Sequence, residues 1–227
     1  MATRTRNTER REDALSRQRI VDAAVQVLDV AGESGLTFRA LAARLRTGAG
    51  AIYWHVANKS ELLVAATDAV LTRAVLIGAG ASDVAGAPPA EALRAVALGV
   101  FDAVETHPWV GTQLSRTPSQ RAVLRVFERL GRQVQALGVA ADDQFDAASA
   151  LLNYVLGVTA QNAAQAREAA PGTNRVAFLE SLSADLDPDL YPFTRTVAGQ
   201  LRDHDDRAQF LAGIDLLLAG IAGLVQR

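Results

Sequence analysis

Apolar residues recur along this chain at intervals of three and four, and no stretch alternates convincingly with period two, so the pattern predicts helices throughout. Ile20, Ala24, Val27, Leu28 and Ala31 form one stripe, giving a helix over about 16–32 with Ser16 as N-cap and Gly32 and Gly35 as its end. Thr37 caps a short second helix carrying Leu41 and Leu45, and a third short helix covers about 48–55. Asn58 or Ser60 caps a longer helix, 60–77, with Leu62, Leu63, Ala66 and Val70 inward. The small-residue run 78–90 is the clearest break. A helix over 89–106 stops at the His107-Pro108 step. Thr117-Pro118 reads as N-cap and first helical residue of a helix 118–137 that buries Leu124, Phe127, Leu130, Val134 and Leu137. Asp142 opens a helix 143–169 closed by Pro171-Gly172, residues 172–203 are less regular, and a final helix spans 204–226.

That last helix has the strongest pattern. Phe210, Ile214, Leu217, Ile221 and Leu224 repeat at four, three, four and three, with Leu211, Leu218 and Val225 as a second row. The helix 143–169 carries Phe145, Ala148, Leu152, Val155 and Thr159. Two such helices can meet their copies about a two-fold axis as a four-helix interface. Leu152, Val155, Thr159, Phe210, Ile214, Leu217, Leu218 and Ile221 are the expected contacts. Both helices could instead face the protomer's own core. The most apolar run, Phe210 to Val225, is shorter than the roughly 18–20 residues that span a bilayer, and Asp215 interrupts it.

Residues 37–56, TFRALAARLRTGAGAIYWHV, hold a helix, a tight turn and a second helix within twenty residues. Leu41, Leu45, Ile52 and Val56 lock the two together, with the first helix as third member. The second helix is too short to be stable alone. It begins with Gly48, Ala49, Gly50 and Ala51, whose small size lets another backbone or a base edge approach. It ends with Tyr53, Trp54 and His55, and Tyr53 and His55 can bond phosphate oxygens. Lys59, the only lysine in the chain, opens the next helix, where it opposes the macrodipole unless an anion sits there.

Charge changes the picture. The net charge is −2, yet residues 1–60 hold ten Arg and Lys against six Asp and Glu, while the remainder holds thirteen against nineteen. Only the first part is suited to a polyanion, with Arg4, Arg6, Arg10 and Arg11 in an N-terminal arm, 1–13, expected to be disordered. Hydrophobic residues make up 49% of the chain, enough for a proper core. No cysteine is present, which excludes disulfides and thiolate chemistry and suits a reducing cytoplasm. The first residues lack the apolar stretch of a signal peptide. Enzyme signatures are missing: there is no G-x-S-x-G, P-loop or H-E-x-x-H. The Gly78-Ala-Gly80 string lacks a third glycine, and His204-Asp205-Asp206 reads as the cap of the final helix. No metal and no cofactor is expected.

Residues 15–63 resemble the DNA-binding domain of the tetracycline-repressor (TetR) family. The strings G-L-T-x-R-x-L-A and A-I-Y-W-H-V-x-N-K-x-x-L carry the resemblance. Tyr-Trp-His-Val-x-Asn-Lys and Phe210 to Gly220 are similar to the subfamily that gives the family its name. The resemblance implies an all-α fold: a helix-turn-helix DNA-binding domain, 14–63, and a ligand-binding and dimerisation domain, 64–227. It implies that Thr37 and Arg39 touch DNA, that Thr47, Gly48, Ala49, Gly50 and Ala51 face the major groove, and that Tyr53, His55 and Lys59 hold phosphates. With Arg46 and Trp54 these complete the expected DNA surface. Arg46 stands where the family usually has glycine. If the turn needs a positive φ, it costs roughly 1–2 kcal/mol there. With Gly48 and Gly50 leaving the reading surface nearly bare, Arg39 is the best candidate for a guanine contact. The subfamily's metal-chelating histidine has no clear counterpart around His107 and Thr117-Pro118.

An effector pocket is expected among helices 89–106, 108–137 and 143–169, lined from Phe101, His107, Trp109, Gln113, Phe127, Asn153, Tyr154, Gln161 and Asn162. The expected function is a cytoplasmic homodimeric repressor, released from a palindromic DNA operator by a small molecule. The alternative is a helical protein-binding adaptor, which would present Tyr53-Trp54-His55 to protein with little salt dependence.

Overall fold

The computed structural model describes residues 15–82, 87–116, 121–168 and 187–225, and the described secondary structure is entirely helical. The N-terminal arm, Thr117-Pro118 and Pro171-Gly172 lie outside these residues. Three helices build a small head: α1 (Arg17–Gly35), α2 (Phe38–Leu45) and α3 (Ala49–Tyr53). Ser16 caps α1 by accepting the Arg19 N–H, as the sequence predicts. Gly32 breaks α1 near its end with φ 62° and ψ −169°. Ile20, Ala24, Leu28, Leu36, Leu41, Ile52 and Val56 are buried. α4 (Lys59–Ser82) packs on α1 and carries the chain from the head into the core.

The core holds α5 (Pro89–Thr106), α6 (Pro108–Arg116), α7 (Arg121–Ala136), α8 (Ala141–Glu168) and α11 (Asp206–Val225). Its most extensive packing is α4 on α5, where a Cβ at Gly99 would stand 2.7 Å from the Ala74 carbonyl oxygen. Only glycine permits that backbone approach. Helix α6 is separate from α7, and the helix read as starting at Thr117-Pro118 begins, among the described residues, at Arg121. Residues 187–203 contribute two short helices, α9 (Pro192–Thr196) and α10 (Ala198–Asp203), neither of which has a buried residue.

Leu124, expected in the core, is 61% exposed, and Phe145, on the apolar stripe read along 143–169, is 69% exposed. Helix α7 buries Ala122, Val123, Val126, Leu130 and Val134, and Leu124 falls one residue, about 100° of rotation, off that row. On α8 the buried row is Ala148, Leu151, Val155 and Thr159, and Phe145 meets the edge of the Phe127 ring, 6.2 Å away.

Expectations for the dimer interface also change. Within one protomer Val155, Thr159, Phe210, Ile214, Leu218 and Ile221 are already buried, and Thr159 returns its hydroxyl to the Val155 carbonyl. Phe210 is stacked between Phe101 and Tyr154, with ring centroids 4.8 and 5.6 Å away. These side chains hold α11 on the protomer's own core. Leu152 and Leu217 are half-buried beside them. The final helix has 20 residues and is long and apolar enough, by length and composition, to cross a membrane. It exceeds the run read from the sequence, yet here its inner row is core and Asp215 pairs with Arg94.

Tyr154 fixes the seam between α8 and α11. Its hydroxyl donates to the Phe210 carbonyl at 3.1 Å, and burial pushes the phenol pKa up. A Cβ at Gly213 would stand 1.9 Å from the Tyr154 oxygen. Gly213→Ala is therefore expected to displace the ring and lower stability by about 1–3 kcal/mol. Thermal unfolding of the variant checks this; an unchanged midpoint would show that the seam can relax.

Candidate nucleic-acid interface and effector cavity

The head is locked by local bonds that follow from the sequence. Thr37 caps α2 by accepting the Ala40 N–H at 3.1 Å. A hydroxyl that accepts still has its proton to donate. Arg44 Nε donates to Gln26 at 2.8 Å, bracing α2 on α1. Helix α2 ends in a left-handed turn: Arg46 has φ 53° and ψ 45°, its N–H bonds the Ala43 carbonyl, and the Thr47 N–H bonds the Ala42 carbonyl. This is the arrangement that glycine normally serves. Arg46 is the only non-glycine with positive φ among the described residues, so the expected strain is present.

Beyond the turn, α3 starts at Gly48 with no side-chain cap. A Cβ at Gly48 or Gly50 would meet nothing within 4 Å, and neither has a positive φ. Nothing among the described residues requires glycine at these positions. In the same helix-turn-helix segment Arg39 is exposed and its side chain makes no bond among the described residues, Arg46 is exposed, and Trp54 is 90% exposed. Tyr53 stacks on Phe38, centroids 4.4 Å apart and nearly parallel, with half of its surface still open. Thr47, Ala49, Ala51 and His55 are half-buried. Of the sequence-selected residues of the head, Thr37, Arg39, Arg46, Gly48, Gly50, Tyr53 and Trp54 are exposed, and the rest are half-buried.

Lys59 is placed differently from the expectation. Its Nζ donates to the Glu33 main-chain oxygen in the last turn of α1. A cation at a helix C-terminus is favourable, which offsets its unfavourable position at the start of α4. Asn58 caps α4 by accepting the Glu61 N–H at 2.8 Å, and Glu61 accepts the Ala57 N–H at 2.8 Å. The Ala57 N–H, and then the Arg17 guanidinium, hold the Glu61 carboxyl below the usual carboxylate range. A lowered folded-state pKa means that this contribution is complete above the ordinary value and disappears as pH falls through the lowered one. Acid titration of the unfolding midpoint should therefore fall less steeply for Glu61→Gln than for wild type.

Gly50→Ala separates fold from interface. It should stabilise α3 by about 1 kcal/mol through helix propensity. It should weaken DNA binding if another molecule approaches here. A rise in both midpoint and affinity would remove Gly50 from the contact surface.

The core residues proposed to line a pocket do not converge. Phe101 and Asn162 share a cavity of about 150 Å³ with Val104, Glu105, Pro108 and Ala163, between α5, α6, α8 and the start of α11. That volume is below the roughly 300–1,000 Å³ of typical ligand sites. Phe127 borders a separate open groove between α7 and α8. Asn153 and Gln161 lie exposed on the outer face of α8, and Tyr154 belongs to the α8–α11 seam. His107, Trp109 and Gln113 face the head rather than the cavity, bonding Asp29 and Glu33 of α1. Neither carboxylate stood out in the sequence, because each sits on an ordinary polar helix face. The sequence reading of His204-Asp205-Asp206 as a cap holds, since Asp205 accepts the Ala208 N–H at 2.7 Å.

Comparison with known proteins agrees with this architecture at both ends. Residues 20–66 match the family described as bacterial regulatory proteins, tetR family, and residues 87–225 match the tetracyclin repressor-like C-terminal domain. An HTH-type transcriptional regulator of Saccharopolyspora erythraea is 34% identical over 221 residues, covering 94% of this chain and 87% of the relative. A solved TetR-type transcriptional regulator from Streptomyces coelicolor is 56% identical with a TM-score of 0.79, covering 93% of this chain and 99% of the other. The structure of BioQ with its double-stranded DNA operator matches at 26% identity and a TM-score of 0.61, covering 92% and 99%.

Proposed function

The chain belongs to the TetR family of bacterial transcriptional regulators, and on that premise we propose that it represses transcription as a homodimer on a palindromic operator, leaving when a small molecule occupies its core. One observation carries the DNA reading. A Cβ at Gly48 or Gly50 would meet nothing within 4 Å among the described residues, and Arg39, Arg46, Tyr53 and Trp54 of the same short segment are exposed. Close approach of a groove edge explains that combination. Arg39 reads a base, while Thr37, Thr47, Tyr53 and His55 contact the backbone. Lys59 has two further N–H donors beyond the one given to Glu33 and can add a phosphate contact. BioQ was solved on its own operator, which supports the same use of this head. The protein-binding adaptor is not favoured.

The dimer surface is the outer face of α8 and α11. Ala150, Asn153, Gly157, Gln161 and Ala164 are spaced for one side of α8, and Ala212, Leu216, Ala219 and Gly223 for one side of α11. Leu216 is 75% exposed in the protomer. Small residues on both stripes allow two copies to approach closely. Leu190, Tyr191 and Phe193, exposed in the segment 187–203, supply further apolar area for the same association. As soluble DNA-binding proteins, members of this family fit a cytoplasmic location. The effector enters the α5–α6–α8 cavity, which enlarges to hold it.

The test is selection of bound DNA from a random pool by the purified chain at moderate salt. Recovery of a palindrome with half-sites about one helical turn apart is the expected result. Recovery of no palindrome would overturn the proposal.

A further inference from the structure

The arginines ahead of α1 take no part in the DNA contacts described above. Residues 1–8 read Met-Ala-Thr-Arg-Thr-Arg-Asn-Thr and hold Arg4 and Arg6 with no acidic residue. Arg10 and Arg11 differ, because Glu9, Glu12 and Asp13 stand around them in the chain. Three extended residues span about 10 Å, more than the roughly 8 Å over which physiological salt screens a charge. Glu9 therefore does little to neutralise Arg6. Apart from Met1 and the two arginines, residues 1–8 are alanine, threonine and asparagine. Such slim side chains fit a groove about 6 Å wide, the width of the minor groove of B-DNA. Arginines two apart on an extended chain point to the same side.

The structure fixes where this stretch joins the head. Leu15 is half-buried and packs against the core, and Ser16 caps α1. One residue on, Arg17 Nη2 donates to Glu61 Oε1 at 3.1 Å, and the other Glu61 oxygen accepts the Ala57 N–H at 2.8 Å. The start of α1 is thus tied to the connection between α3 and α4, residues 54–58, which carries the exposed Trp54. The chain ahead of Leu15 therefore sets out beside the end of the proposed recognition helix. From Leu15 back to Arg6 is nine residues, up to about 30 Å of extended chain. A minor groove lies about half a helical turn, roughly 17 Å, from the major groove beside it. The arm is long enough to cross one phosphate backbone and bring Arg6 and Arg4 to the groove beyond.

We infer that Arg4 and Arg6 read the minor groove flanking each half-site, where they favour A·T pairs. This rests on the DNA-binding reading above. An A·T-rich minor groove is narrow and strongly negative, which draws arginine into it. A G·C pair adds the guanine N2 amino group to the groove floor, and that group obstructs the entry. The arm thereby adds sequence preference at base pairs outside the reach of α3, while Arg39 acts in the major groove.

The test uses the full chain and the palindrome it selects, with A·T, G·C or inosine·C pairs outside the half-sites. Inosine·C keeps the major-groove face of G·C and lacks the guanine N2 amino group. Wild type should bind A·T flanks about tenfold more tightly than G·C flanks, with inosine·C close to A·T. Arg4→Ala/Arg6→Ala should reduce that ratio to less than about threefold and still select the same palindrome. Its salt slope should fall by about two contacts per protomer. Arg10→Ala/Arg11→Ala should keep the flank preference; an equal loss there would overturn the assignment to Arg4 and Arg6. An undiminished A·T preference in Arg4→Ala/Arg6→Ala would overturn the inference, as would a wild type indifferent to its flanks. Inosine·C flanks that bind like G·C would also overturn it, by removing the contact from the minor groove. A wild-type chain that selects no palindrome would instead refute the DNA-binding reading, and the inference with it.

Discussion

Leu216→Arg is expected to leave the protomer folded, to abolish the dimer, and to lower operator affinity by about a hundredfold or more. Leu216 lies outside the protomer core, so the substitution removes no internal packing. In a two-fold interface the same residue comes from both copies, and each arginine would be placed in an apolar contact without a partner. A monomer binds one half-site and loses the gain from binding two at once. Sedimentation of the variant against wild type, followed by titration on the selected operator, checks both parts. A dimeric variant with native affinity would move the interface away from the outer stripe of α11.

Arg39→Ala has the second largest expected effect. The side chain is exposed at the start of α2, and it makes no bond among the described residues. Its removal should leave the unfolding midpoint unchanged. A bidentate arginine–guanine contact is worth about 1–3 kcal/mol of discrimination. Operator affinity should therefore fall by roughly five- to 150-fold, with relaxed preference at one position of each half-site. Repeating the DNA selection with the variant reads that position directly. Uniform weakening across all sequences, with a smaller salt slope, would assign Arg39 to the phosphate backbone.

The head was legible in the sequence because its determinants are local. Ser16 and Thr37 cap within three residues, the Arg46 turn closes within five, and the glycines around α3 lie in one short string. The core was legible only as helices. Leu124 and Phe145 fit the helical period but not the packing, since periodicity does not tell which of two adjacent rows meets a neighbour. The same ambiguity applies to α11, which has apolar residues on both sides: the structure buries Phe210, Ile214, Leu218 and Ile221 inside the protomer. Lys59, read as a phosphate ligand in waiting, has an internal partner 26 residues away.

By itself the sequence determined the helical fold, the helix-turn-helix and the side chains that face outward from it. These follow from spacing, caps and side-chain size over distances of a few residues. Only the tertiary structure decided that His107, Trp109 and Gln113 bond the head, and which face of α11 stays exposed in the protomer. The pairs of Asp29 with His107 and of Glu33 with Arg116 join residues 78 and 83 positions apart. A hydrogen bond needs its two atoms within about 3 Å, and only the packing of whole helices brings such distant positions that close.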